Sequence, residues 1–374
     1  MNGSIRVGNL FGIPFYVNPS WFLVLGLVTF DFSNYMAGLF PGLGGGLPLL
    51  LGLVVALLLF ASVLAHELGH SLVAIRQGIK VQSIALFLFG GLASLEKESE
   101  TPAQAFWIAI AGPAVSLMLF ALFTAISVGT GISSPLAAIA GLLAYINLVL
   151  ALFNLIPGLP LDGGNILKSL VWKITGNPYK GVVFASRVGQ FLGWMAIALG
   201  ALSILGISNI GSFWTLLIGL FLLQNAGRSA QSATLSETLT TLKAEDAVTP
   251  NSPIVSADLS LREFVNEYII GKAPWQKFLV TDENGQLLGA IAVDDMKTIP
   301  TSNWPTTYVK DLMQPVELST IVQSDQSLLE VITLLEKEKL ASLPVVRANG
   351  VLVGILEKAS IIRLLEKRSQ TKPA

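Results

Sequence analysis

Through residue 230 the chain is dominated by long apolar stretches, at 16–36, 47–75, 103–128, 135–157, 188–207 and 212–227, uncharged but for Asp31 and Glu67. Most are near the 20 or so residues a helix needs to cross a bilayer, so the pattern predicts six transmembrane helices. The last two are short and separated by a Gly/Ser/Asn turn, and a broken hairpin over 188–227 is the alternative. A further apolar run, Val81 to Leu95, is too short to span alone and carries Gly90-Gly91 at its middle, which predicts a re-entrant β-hairpin. A hydrophobic loop packed on the helices is the plainer reading of that run.

Beyond Arg228 the pattern turns polar. Ser229 to Lys243 reads as a linker, and from there the chain repeats itself. Asp246-Ala-Val-Thr-Pro250 matches Asp311-Leu-Met-Gln-Pro315, Asn284-Gly285 matches Asn349-Gly350, and Gly289 matches Gly354. Each unit predicts strand, amphipathic helix, strand, Asn-Gly turn, strand, helix. The expected organisation is a membrane domain over 1–230, a linker over 231–243, a first repeat over 244–302 and a second repeat with the tail over 303–374.

Mean hydropathy is +0.67 and only 13% of residues are charged. The net charge of −1 argues against a nucleic-acid partner, and the absence of cysteine excludes thiolate and disulfide chemistry. Charge also orients the chain. The nine Lys and Arg residues through Arg228 all fall on one side of a six-span arrangement, while the segments 37–46, 129–134 and 208–211 hold none. The positive-inside rule then places both termini and the repeats in the cytoplasm. No small-residue cleavage pattern follows the first apolar run, so no removable signal peptide is read.

The chain has two histidines, His66 and His70, in His66-Glu67-Leu68-Gly69-His70 at the end of an apolar stretch. On a helix this spacing sets both imidazoles on one face, able to grip one zinc ion while Glu67 acts on water. Buried structural histidines are the alternative. A catalytic zinc takes a third protein ligand. The acids of residues 1–230 are Asp31, Glu67, Glu96, Glu98, Glu100 and Asp162. The 96–100 cluster reads as a solvated loop, and Asp31 belongs near the opposite membrane face. Asp162 follows Asn154-Leu-Ile-Pro157-Gly158-Leu-Pro160-Leu161, a segment that unwinds the helix, and it can complete the set or simply cap a loop.

HELGH on one apolar helix and Asn154-x-x-Pro157-x-x-x-x-Asp162-Gly163 on a later one resemble the site-2 protease family of intramembrane zinc metalloproteases. The resemblance implies one Zn2+ per chain held by His66, His70 and Asp162, Glu67 as general base, and Asn154 contacting substrate or oxyanion. It implies a membrane-anchored protein substrate, cleaved near the cytoplasmic face in regulated intramembrane proteolysis. Ala111-Gly112-Pro113 is similar to a further family feature, with Ser116 where an asparagine is frequent. The repeats resemble a tandem of cystathionine-β-synthase-type (CBS) domains, over about 244–370. That likeness implies an adenine-nucleotide cleft in which Asp295 meets the ribose, while the second repeat has Ser360 at the same place; Ala292 and Glu357 stand where a threonine is frequent. A dimerisation or scaffolding module, forming a homo-oligomer without ligand, is the equal alternative. The expected fold is thus an α-helical membrane domain with a re-entrant hairpin, followed by a soluble α/β CBS pair. A CBS-regulated channel or transporter, and a membrane-protein-binding pseudoprotease, are the competing functions.

Overall fold

The computed structural model describes residues 4–87, 90–130, 134–271, 275–316 and 320–371. They form two compact units, Met1–Thr234 and Leu235–Ala374.

The first unit opens with strands β1 (Ile5–Leu10) and β2 (Ile13–Val17), not with a helix. They are joined by Phe11 and Gly12, both at positive φ, as a primed two-residue hairpin turn requires. Helix α1 (Ser20–Leu39) therefore starts later than the apolar run suggests. Next come α2 (Leu47–Arg76), β3 (Val81–Phe87), β4 (Gly90–Leu95), α3 (Pro102–Gly129), α4 (Pro135–Asn154), α5 (Asp162–Thr175), α6 (Pro178–Ile204) and α7 (Phe213–Thr241). Each of α2, α3, α4 and α6 carries proline in its first turn, where no N–H is needed. Thr101, Ser134 and Asn177 cap α3, α4 and α6 through their side chains.

The short apolar stretch does form a hairpin, β3–β4, but as half of a four-stranded sheet in the order β1-β2-β3-β4, with β2 parallel to β3. Its tip, Leu88 and Phe89, lies outside the described residues. Among the described residues five helices are long and apolar enough to cross a membrane: α1, α2, α3, α4 and α6. The expected sixth span corresponds to the first half of α7, whose apolar run ends at Leu223; polar residues then continue the same helix through the stretch expected as linker. Helix α6 starts at Pro178, well before the uncharged run, because Lys180 and Arg187 interrupt the run but not the helix. Helix α5 was not expected at all.

In the second unit, β5 (Ile254–Ser256), α8 (Leu261–Phe264), β6 (Lys277–Thr281) and β7 (Leu287–Ala292) precede α9 (Val309–Leu312), β8 (Val322–Gln323), α10 (Leu328–Lys337), β9 (Ser342–Val346), β10 (Leu352–Glu357) and α11 (Lys358–Thr371). Both three-stranded sheets have one parallel and one antiparallel pairing, as a repeat demands. The repeats interleave. Leu239, Leu242, Ala244 and Ala247, ahead of the first sheet, are buried with Leu328 and Leu335 of α10 and with Leu343 and Leu356 of the second sheet. Val309, ahead of the second sheet, is buried with Phe264, Phe278 and Ile291 of the first. Equivalent backbone bonds tie each lead segment to the other sheet: Thr249 N–H to Ile355 O and Gln314 N–H to Ala290 O, both 2.8 Å.

Candidate metal centre

Helix α2 brings His66 and His70 onto one face, with ring centroids 5.0 Å apart. Helix α3 approaches that face closely because both partners carry glycine at the crossing. A Cβ on Gly69 would stand 2.9 Å from the Ala111 carbonyl oxygen, and one on Gly112 would stand 2.2 Å and 2.6 Å from the Nε2 atoms of His70 and His66. The same helix orients both rings from behind. His70 Nδ1 lies 2.6 Å from the Ile108 carbonyl oxygen, and His66 Nδ1 lies 2.9 Å from Ser116 Oγ. A carbonyl only accepts, so the neutral His70 carries its proton on Nδ1 and presents the Nε2 lone pair.

Asp162 is the first residue of α5, yet its carboxylate does not cap that helix: Leu161 precedes it with no side-chain cap. The chain from Leu155 to Leu161 folds tightly beneath the first turn of α5. A Cβ on Gly163 would meet the Leu155 and Ile156 carbonyl oxygens at 2.3 Å and 2.4 Å, and one on Gly164 would meet Leu159 N at 2.2 Å. These two glycines are what permits the helix to restart directly after Asp162. The turn is also anchored to α6, through Leu159 N–H to Ala185 O and the close approach of Gly158 to Gly189.

The result is a three-donor cluster. Asp162 Oδ2 stands 3.0 Å from His66 Nε2 and 3.3 Å from His70 Nε2, and one donor atom from each residue lies within 4.8 Å of the others. Ligands at about 2.0–2.1 Å around a tetrahedral zinc stand about 3.3 Å from one another, so the set fits such an ion. The donor chemistry, two imidazoles and one carboxylate, fits as well.

Glu67 faces strand β4. A Cβ on Gly91 would stand 2.4 Å from Glu67 Cγ, and the Ala93 backbone hydrogen-bonds the carboxylate. Asn154, the last residue of α4, donates to Leu150 O at 3.0 Å within its own helix. Asp31 is exposed on α1 and takes no part in the cluster. Ser116, which stands where the family frequently has asparagine, keeps a polar role as the partner of His66 Nδ1. Another feature escaped the sequence analysis. Asn147 of α4, fully buried, donates to Ser62 Oγ at 3.1 Å, one turn before His66 on α2. An amide in the middle of an apolar helix is the signal that could have found Asn147.

The 96–100 loop is solvated and ion-paired. Lys80 pairs with Glu96, Lys168 of α5 with Glu98, and Lys97 with Glu100. The Lys97 hydrogen bond and charge hold the Glu100 carboxyl below its ordinary value. In the second unit Asp295 Oδ2 accepts from Ala292 N–H at 3.0 Å. Ser360 accepts from Glu357 N–H at 3.2 Å in the equivalent place and donates to Ala247 O at 2.6 Å.

The sequence model of peptidase family M50 matches residues 54–133 and 125–196, and that of the CBS domain matches residues 309–367. The Synechocystis sp. protein sll0528, which carries a zinc-metalloprotease name, is 62% identical over 366 residues, covering 98% of this chain and 96% of that one. The zinc metalloprotease MJ0392 of Methanocaldococcus jannaschii is 30% identical over 382 residues and is covered in full, as is this chain. A solved structure described as the site-2 protease of the same organism is 31% identical; the match covers 61% of this chain and 95% of that one, with a TM-score of 0.44.

Proposed function

Since the chain belongs to peptidase family M50, the site-2 protease family of membrane zinc metalloproteases, we propose that His66, His70 and Asp162 hold its zinc and that Glu67 is its general base. The observation that carries this reading is the convergence of two imidazoles and one carboxylate from α2 and α5 at ligand spacing. Bound zinc supplies Lewis acidity toward a carbonyl and acidifies water. Glu67 takes the proton of the attacking water and delivers it to the leaving amine. Ser116 and Ile108 fix the imidazoles by holding their Nδ1 atoms. Asn154 has one amide N–H committed to Leu150 and a second left for a substrate carbonyl.

The substrate in this reading is a membrane-anchored protein cut within or beside its transmembrane segment, near the cytoplasmic face. Strand β4 is the edge of its sheet and runs past Glu67, so an unwound substrate segment can pair along it and present an extended peptide bond. The cytoplasmic placement is supported by the nine Lys and Arg residues through Arg228, which share one side when the apolar half of α7 also crosses. The CBS pair over 244–302 and 303–374 is read as an adenine-nucleotide sensor or a dimerising element. Asp295 keeps one carboxylate oxygen for a ribose, whereas the Ser360 hydroxyl is spent on Ala247.

Glu67→Gln separates binding from chemistry. The purified variant should keep its metal and lose hydrolysis, since an amide accepts no proton. Appreciable turnover by that variant would remove Glu67 from the role of base.

A further inference from the structure

Between the first turns of α3 and the last turns of α5 lies a groove of about 390 Å³, away from the three donors but on helices that position them. Its floor is Pro102, Phe106, Trp107 and Leu170, and Lys173 stands at its rim. We propose that this groove binds one anionic glycerophospholipid, with the phosphate at Lys173 and the positive end of α3 and an acyl chain over Trp107 and Leu170.

Three observations carry the assignment. Trp107 is 59% exposed in the second turn of a 28-residue apolar helix, the level at which tryptophan marks the membrane–water boundary. Helix α5 turns Leu170 and Ile174 outward beside Lys173, the pattern of a helix lying in the interface. The charges also fit an anion. Among the described residues Lys173 is in no ion pair, whereas Glu98 and Glu100, just ahead of Thr101 in the chain, pair with Lys168 and Lys97. The α3 N-terminus adds its dipole.

The site bears on the metal centre. Helix α3 supplies the Nδ1 partners of both imidazoles and α5 begins with Asp162, so a lipid wedged between them sets the spacing of the donors. Binding itself is read without substrate or hydrolysis, so its failure and the failure of the proteolytic reading are distinguishable.

The test is native mass spectrometry of the full chain in neutral detergent, titrated with phosphatidylglycerol and phosphatidylcholine of equal chains. Phosphatidylglycerol should be retained at least about fivefold more strongly, the weight of one lysine at an anionic headgroup. Lys173→Gln should abolish that preference, Leu170→Ser should weaken retention of both lipids, and Lys180→Gln should change nothing. Both groove residues are exposed, so neither change threatens the fold. Equal retention of the two lipids, or an equal loss in Lys173→Gln and Lys180→Gln, would overturn the assignment. So would competition by inorganic phosphate alone as effective as that by lipid, or displacement of lipid by a synthetic apolar peptide.

Discussion

Asp162 opens α5, Asp295 stands in the first turn of the 3-10 helix Val293–Thr298 that follows β7, and they use their carboxylates in opposite ways. Asp295 folds back to accept the Ala292 N–H, as an aspartate at such a position ordinarily does. Asp162 leaves its own helix uncapped and reaches two imidazoles instead. Its carboxylate is spent on distant side chains in a membrane-embedded unit where charge is costly. In the second unit the same residue type does routine backbone work, with one oxygen left over. The departure from local hydrogen bonding, rather than the residue type, is what sets Asp162 apart.

The largest effect should come from breaking the close approach of α3 to the two histidine rings. Gly112→Ala puts a methyl group where both Nε2 atoms lie, so hydrolysis should fall by on the order of 10²-fold or more while the helices stay folded. Activity alongside a thermal melt of the same sample reads this. Next, Ser116→Ala removes the partner of His66 Nδ1 and should lower metal affinity about 10–100-fold, with Ser116→Asn restoring most of it; competition with a zinc chelator measures both. In the other unit, Ser360→Ala leaves the Ala247 carbonyl without its buried donor and should cost about 1–3 kcal/mol in chemical denaturation, with the metal untouched. The smallest effect concerns the buried amide. A double-mutant cycle on Ser62 and Asn147 should give a coupling of about 0.6 kcal/mol, the usual size inside a membrane.

Much of the candidate metal centre was legible because its signals are local or scarce. Four-residue spacing on a helix sets two rings together without tertiary knowledge, and with so few acids in the apolar part Asp162 had few rivals. Gly112 and Ser116 stood out only through the family likeness and Ile108 not at all, because their contacts depend on the crossing of α2 and α3, which no spacing along the chain encodes. The membrane helices were readable as uncharged runs, but their ends were not. Lys180 and Arg187 sit inside α6, and Ile13–Val17 is apolar yet pairs as a strand. Serine and threonine made 229–243 read as a linker, although the stretch to Thr241 continues α7. The repeats were visible by their offset, whereas their interleaving was hidden, because it depends on which sheet each lead segment joins.

The most direct test is the metal content of the purified full-length protein beside that of Asp162→Ala. One zinc per chain is expected in the parent, and marked depletion in the variant at unchanged helical content, because two imidazoles alone leave the ligand set incomplete. Full zinc occupancy in Asp162→Ala would contradict the three-donor site and leave the contacts of Asp162 as structural hydrogen bonds.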